Sequence, residues 1–202
     1  GTGECNSSRS SYSGAGVFVS EDKGKTWQQR GLAETHHIGR VVLHPKDEKV
    51  AFVAAIGHLY SANEERGIFK TSDGGKTWRN TLFINDTTGA IDLIIDNRNP
   101  SVLYACMWER TRAAWNFDGK GSNSGIYKST DTGETWTKIS TPESGLPQGE
   151  VGRMGIAMSF SQSNILYAIV DNQNNRPASE QKKNKPKYVK KDFKTMAKKD
   201  FL

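Results

Sequence analysis

Cleavage of a glycosidic bond needs two carboxylates held about 5–9.5 Å apart across a cleft. Glu4, Glu64, Glu65, Asp86, Glu109, Asp118 and Glu150 all fall in segments that read as loops, and nothing in their spacing singles out a pair. Arginine offers a second chemistry. Arg40 and Arg153 each follow a glycine at the start of an apolar run, in "IGRVV" and "VGRMG". A guanidinium so placed can grip a ligand carboxylate with two parallel hydrogen bonds. The corresponding place in mid-chain holds Ala90, and no R-I-P sequence accompanies the two arginines. Stacking is a third chemistry. The stretch "WERTRAAWNFDGKGSNS" at 108–124 sets Trp108 and Trp115 among Glu109, Arg110, Arg112 and Asp118. Flat rings with charged neighbours suit a sugar or a peptide. The competing reading is that the tryptophans only anchor their loop. Ligand contact is therefore expected from Arg40, Trp108, Glu109, Arg110, Arg112, Trp115, Asp118 and Arg153, with no catalytic residue assigned.

Metal chemistry has little to build on. His36 and His37 are adjacent, and adjacent side chains of an extended segment point to opposite faces, so the pair is a poor clamp. His58 lies in another loop, and His44 in "LHPKD" reads as a turn residue. Cys5 and Cys106 are too few for a disulfide framework; two unpaired thiols, with Cys106 buried in a strand, are favoured over a single bridge. No metal and no cofactor is expected.

These residues must be positioned by elements that repeat. An octet S/T-x-D-x-G-x-T-W occurs as "SEDKGKTW" at 20–27, "TSDGGKTW" at 71–78 and "STDTGETW" at 129–136. Each follows a short strand-like run, "GVFV", "GIFK" or "GIYK", so each octet reads as the turn of a β-hairpin. Asp22, Asp73 and Asp131 would accept hydrogen bonds from backbone N–H groups about two residues on. Gly24, Gly75 and Gly133 would supply the positive φ that closes the bend. Trp27, Trp78 and Trp136 would open the outgoing strand with a large apolar surface to bury. A calcium loop needs several alternating oxygen ligands, and each octet core offers one carboxylate, so a structural turn is expected instead.

A second hairpin lies between octets, in 40–55, 91–107 and 155–170, giving four strands per unit. The octet aspartates are 51 and 58 residues apart, the length of one propeller blade. "GTGEC" at 1–5 falls where "AAIGH" and "CMWER" fall later, so Gly1 begins inside a blade's second strand. About three and a half blades' worth of strands in residues 1–172 cannot close a ring, which predicts that further blades come from the same protein or another subunit. The octets and the "HPKDEK"-type turns should share one face. The other face would collect the loops near 4–14, 28–39, 57–66, 82–90, 108–124 and 140–152, where binding residues usually sit.

The 202-residue chain is 35% hydrophobic, enough for a core, and has no apolar run long enough to span a bilayer. It begins with glycine, so a processed start is expected and a removed signal peptide is compatible with it. Its net charge of +6 is local: residues 173–202 carry nine Lys and Arg176 against three acids, +7 in all, which leaves −1 for residues 1–172. The body therefore makes no electrostatic case for nucleic acid. The Lys-rich end reads as a linker or a solvated insertion, with a short amphipathic helix at its close.

On the octets, "GTGE", "ERGIFKTSDGGKTW", "TGAIDLIIDNRNPSVLYACMW" and "GIYKSTDTGETW", residues 1–172 resemble the bacterial Asp-box, or BNR-repeat, propellers labelled sortilin-like or glycosyl hydrolase. The resemblance implies an all-β propeller of four-stranded antiparallel blades with the box as a turn between third and fourth strands. It is unspecific for activity, since sialidases, xyloglucan-cleaving hydrolases, sortilin receptors and photosystem assembly factors look similar at this level. The expectation drawn from it is a secreted, periplasmic or envelope-associated scaffold that binds a protein or glycan through its loop face. The alternative is a glycoside hydrolase whose two-carboxylate site is completed by blades outside this chain.

Overall fold

The computed structural model describes residues 1–172. The Lys-rich segment 173–202, expected as linker or short helix, lies outside the described residues. A two-stranded hairpin, β1 (Phe18–Val19) with β2 (Gln28–Gln29), comes first. A four-stranded antiparallel blade follows, with β3 (Ile38–Leu43), β4 (Ala51–Ala55), β5 (Gly67–Thr71) and β6 (Arg79–Leu82) paired in chain order. The next blade opens with β7 (Thr88–Ile95) and β8 (Leu103–Glu109). A small extra hairpin, β9 (Thr111–Arg112) with β10 (Phe117–Asp118), rises from the long loop before β11 (Gly125–Ser129) and β12 (Thr137–Lys138) complete the blade. Finally β13 (Val151–Met158) pairs with β14 (Leu166–Asn172).

The N-terminal register is as read from the sequence. Thr2 N–H donates to Gly16 O at 3.1 Å, the pairing that Ala55 makes with Gly67 one blade later. Residues 1–5 thus extend the first hairpin from its inner side.

The central strands are apolar on both faces because both faces are covered by a neighbouring blade. Along β4, Phe52 and Ala54 point to a cluster with Leu93, Leu103, Ala105 and Met107 of the following blade. Val53 and Ala55 point the other way, to Val17 of the preceding one. A third cluster joins Ile91, Tyr104, Cys106 and Trp108 to Val151, Met154 and Ile156. The core is therefore a series of interfaces between blades. The first strands β3, β7 and β13 pack side by side and close enough that a methyl group added at Gly39 in β3 would clash with Ile91 O of β7. Each carries a register shift near its start, at Ile38/Arg40, Ala90/Asp92 and Val151/Met154. A bulge of this kind re-aims the side chains beside it.

The octet turns close as their residue types demand, with one correction of detail. The Asp carboxylate reaches four residues on: Asp22 accepts from Thr26 N, Asp73 from Thr77 N and Asp131 from Thr135 N, each at 2.9 Å. The nearer N–H is taken by the Ser or Thr two residues before the Asp, whose hydroxyl accepts from Gly24, Gly75 or Gly133 at 2.7–2.9 Å. Those glycines have φ of 86°, 84° and 75°, where a side chain would strain the turn. Gly74 N donates to Lys49 O and Thr132 N to Ser101 O, both at 2.9 Å, so octets and first-hairpin turns share one edge.

Trp78 and Trp136 are half-buried against the preceding blade, with Trp78 Nε1 donating to Arg30 O at 2.7 Å and Trp136 Nε1 to Thr81 Oγ1 at 3.3 Å. Trp27 departs from the expected burial. It is 61% exposed and donates to Gly24 O of its own turn, because no strand among the described residues is packed before β1 to receive it.

The octets make stability depend on acid. Hydrogen bonds from Thr77 and Thr71 hold the Asp73 carboxyl down at about 2, and those from Thr26 and Ser20 do the same to Asp22. A carboxyl depressed by folding stabilises fully above its unfolded value, near 4, and that contribution is lost as pH falls through its folded value. Denaturant titrations at pH 5, 3 and 2 should show a progressive loss of stability over that interval. The Asp73→Asn variant, unable to titrate there, should lose less of its own stability over the same range.

Candidate functional site

Of the two arginines that follow glycine, Arg40 is held by an acid not singled out in the sequence, Asp92. Arg40 Nε donates to Asp92 Oδ1 at 2.9 Å, and the bulge after Ala90 turns Asp92 toward it. Leu93 N also donates to Oδ1 at 3.0 Å, and Ile156 N of the next blade to Oδ2 at 3.1 Å. Asp92 is buried, and its carboxylate is a fastening point for three adjacent first strands. The single charge inside the apolar run "AIDLII" was the signal for it. Arg40, Asp92 and Arg153 line a cleft of about 590 Å³ together with Cys5, Met154 and Asp171. The Arg40 side chain is half exposed, and Arg153 is exposed with its guanidinium over the Trp108 ring at 5.8 Å. Arg153 Nη2 reaches Cys5 Sγ across the cleft at 4.0 Å.

The loop 108–124 is divided between anchoring and display. Trp108 is buried and its Nε1 donates to Gly119 O at 2.7 Å, the anchoring alternative. Sequence reasoning offers Arg110 and Arg112 to a ligand, but the fold turns both to backbone. Arg110 is 2% exposed and donates to Leu59 O, His58 O and Gly57 O at 3.3–3.5 Å. Arg112 gives both Nε and Nη2 to Ser7 O, at 2.9 and 2.6 Å, and lies over the Phe117 ring. Arg66, also unremarked in the sequence, donates to Ile56 O, His58 O and Ser61 O at 2.8–3.0 Å. Arg110 and Arg112 thus staple loops 4–14, 57–66 and 108–118 together, and Arg66 braces 57–66 from within. Burial lowers Arg110 to about 9 and Arg66 to about 10, so both remain cationic at neutral pH.

The display part is aromatic. Trp115, at the tip of the β9–β10 hairpin, is 86% exposed, and Phe117 and Asp118 are exposed beside it. Tyr12 and Tyr60 stand exposed around a second cavity of about 400 Å³ that also takes in His36 and His58. Tyr60 is fixed by its OH donating to Arg9 O at 2.6 Å. His37 turns inward, where burial and then Arg110 depress it to about 4, leaving it neutral. His36 turns outward onto His58, and burial, then His58, lowers it as well.

The carboxylates do not assemble into an acid–base pair among the described residues. Glu109 accepts from Asn123 N at 3.0 Å and from its side-chain amide at 3.1 Å, and Glu150 is paired with Lys120 at 2.6 Å. The carboxyls displaced from their ordinary range, Asp22, Asp73, Asp96, Asp131, Glu134 and Glu143, are all displaced downward. A general acid needs the opposite displacement. Cys5 and Cys106 are both free thiols, and burial, then Asp92, pushes Cys106 up to about 12, far from a reactive thiolate.

The model of the family Sortilin, neurotensin receptor 3 (Sortilin-Vps10) matches residues 15–201. The chain belongs to this sortilin family. Among solved structures, the sortilin-family chain is similar to the GH74 enzyme of Niastella koreensis, with 21% identity and a TM-score of 0.53 over 75% of this chain and 21% of that one. It is also similar to the GH74 xyloglucanase of Xanthomonas campestris, with 15% identity and a TM-score of 0.45 over 68% of this chain and 20% of that one. At such identities the likeness is one of fold, a β-propeller. The sortilin-family chain spans about a fifth of the length of these solved structures. No curated protein matches it. No helix among its described residues is long and apolar enough to cross a membrane.

Proposed function

We propose that this sortilin-family chain is part of a secreted Asp-box propeller scaffold that binds a protein or glycan ligand through its loop face. One observation carries the reading: exposed aromatic rings, Trp115, Tyr12 and Tyr60, stand on loops held rigid by buried arginines, alongside the Arg40–Arg153 cleft that the first strands β3, β7 and β13 line. Rigid aromatic surface lowers the ordering cost of binding, and an accessible arginine adds a carboxylate grip. Glu109, Asp92 and Glu150 are already engaged as acceptors or ion pairs, which favours binding over hydrolysis. Further blades complete the ring, and the exposed Trp27 with Val41 and Leu43 offers the first of them an apolar seat.

The test is an array of neutral and acidic oligosaccharides and of peptides with free C-terminal carboxylates. Binding without turnover is expected, with Arg153→Gln and Trp115→Ala each weakening a captured ligand by roughly tenfold, the loss of about 1.4 kcal/mol. Turnover of xyloglucan oligosaccharides by the intact protein would replace this reading with the hydrolase. Unchanged affinity in both variants would move the site off this face.

A further inference from the structure

The outward turn of His36 has a consequence beyond ligand capture. The short 3-10 turn Ala33–Thr35 is entered through Leu32 at φ 58° and left through His36 at φ 52°. Neither is glycine, and non-glycine residues held in the left-handed region cost about 1–3 kcal/mol each unless their surroundings over-determine them. Here Thr35 does so, fully buried with its hydroxyl donating to Leu32 O at 2.7 Å. The strained exit sends His37 inward and lays the His36 ring flat on His58, centroids 3.8 Å apart and planes 20° from parallel. His58 is in turn immobilised through its backbone: its N–H donates to Asn63 Oδ1 at 2.8 Å and its carbonyl receives Arg66 at 3.0 Å and Arg110 at 3.3 Å. Its ring nitrogens face Ser61 Oγ at 3.0 Å and Glu34 O at 3.1 Å.

We propose that Glu34, His36 and His58 form a binding site for a borderline divalent cation of the zinc class. One ligand atom from each of the three lies within 4.8 Å of the other two. Zinc bonds imidazole nitrogen and carboxylate oxygen at about 2.0–2.2 Å, so tetrahedral ligands stand roughly 3.4 Å apart; because a nitrogen lone pair lies in its ring plane, closing the set also takes the His36 ring turning out of its stack on His58. The Glu34 carboxylate, 74% exposed and 4.0 Å from His36 Nε2, is free to follow the turned ring. Two imidazoles and one carboxylate suit zinc, cobalt, nickel or copper and are a poor match for calcium or magnesium, which want mainly oxygen. Ser61 or the Glu34 carbonyl accepts from whichever His58 nitrogen is not bound to metal, the outer hydrogen bond that fixes a ligating imidazole. Three protein ligands leave a fourth position open toward the cavity rimmed by Tyr12 and Tyr60. The cation would therefore be held by the loop face while remaining open to one outside donor atom. The adjacent pair His36–His37 is indeed no clamp; the fold makes one from His36 and a histidine 22 positions further on.

Titration calorimetry of the untagged, chelator-treated chain with zinc chloride, and d–d absorption with cobalt, test this directly. One equivalent of zinc is expected, with a tetrahedral cobalt spectrum. Glu34→Gln, a change on an exposed side chain that leaves the fold alone, should weaken zinc by about tenfold or more, and His58→Gln should abolish the cobalt bands. His44→Ala, in the turn at the opposite edge, should bind as the parent does. Absence of zinc uptake by the parent chain, or equal affinity in the parent and Glu34→Gln, overturns the site. Circular dichroism of His58→Gln shows whether lost cobalt bands reflect a lost ligand or a lost fold, and the Glu34→Gln comparison decides in the second case.

Discussion

Arg66→Ala should destabilise the protein by about 3–5 kcal/mol, a large share of the total for a domain of this kind. Arg66 is 2% exposed and supplies donors to Ile56 O, His58 O and Ser61 O. These carbonyls belong to a loop that makes few other backbone pairings, and a buried acceptor left without its donor costs about 1–3 kcal/mol. Removing the side chain also opens a void beneath Arg110, which shares His58 O. Arg66→Lys should recover only part of the loss, because an ammonium is not a planar fork and cannot span three carbonyls at once. Denaturant midpoints measure the cost. Hydrogen exchange of amides 57–63 should rise in Arg66→Ala well before the strands β4 and β5 are affected. A cost below about 1 kcal/mol would mean that the loop is held by its own turns and that the arginine staple is incidental.

Phe52→Ala is expected to cost about 3–5 kcal/mol for a different reason. The ring is fully buried in the cluster between the two complete blades and sits against Gly133 of the following octet. Lys70 covers it, with Nζ 5.6 Å from the ring centroid while donating to Thr132 O and Glu134 at 2.7 Å. Truncation therefore leaves a cavity at a joint between blades, where little backbone pairing crosses to hold the two sides together. Phe52→Leu, which keeps most of the volume, should cost less than about 1.5 kcal/mol. Comparing the two by urea denaturation separates lost packing from lost aromatic character. If both variants cost the same, the Lys70–ring contact and not the cavity governs this joint.

Residue types with a local job were legible in the chain, although the Asp carboxylate reaches four residues on and not two. The octet Asp, Gly and Ser/Thr residues meet their partners within four positions, so their chemistry is written in one short segment. The double-sided burial of β4 and β8 was implied by unbroken apolar runs. Arg110 was misplaced, and Trp108 left open between display and anchoring, for the converse reason: a charged or aromatic residue in a polar loop looks the same whether it faces solvent or reaches into an adjacent loop. Their partners, Leu59 O and Gly119 O, are set by how the loops stack and not by spacing. Trp27 looks identical to Trp78 and Trp136 in sequence and differs in having no strand among the described residues packed before it.

By itself, then, the sequence determined the four-stranded unit, its turns and its repeat, because these follow from backbone conformation and a periodicity that each segment carries alone. Only the tertiary structure decided what those units bring together: Asp92 between Arg40 and Ile156, the arginine staples beneath the loop face, and His36 against His58. Those contacts join residues of different blades or different loops. The distances between them depend on bulges, strained turns and the close packing of neighbouring strands, none of which is set by any one segment of the chain.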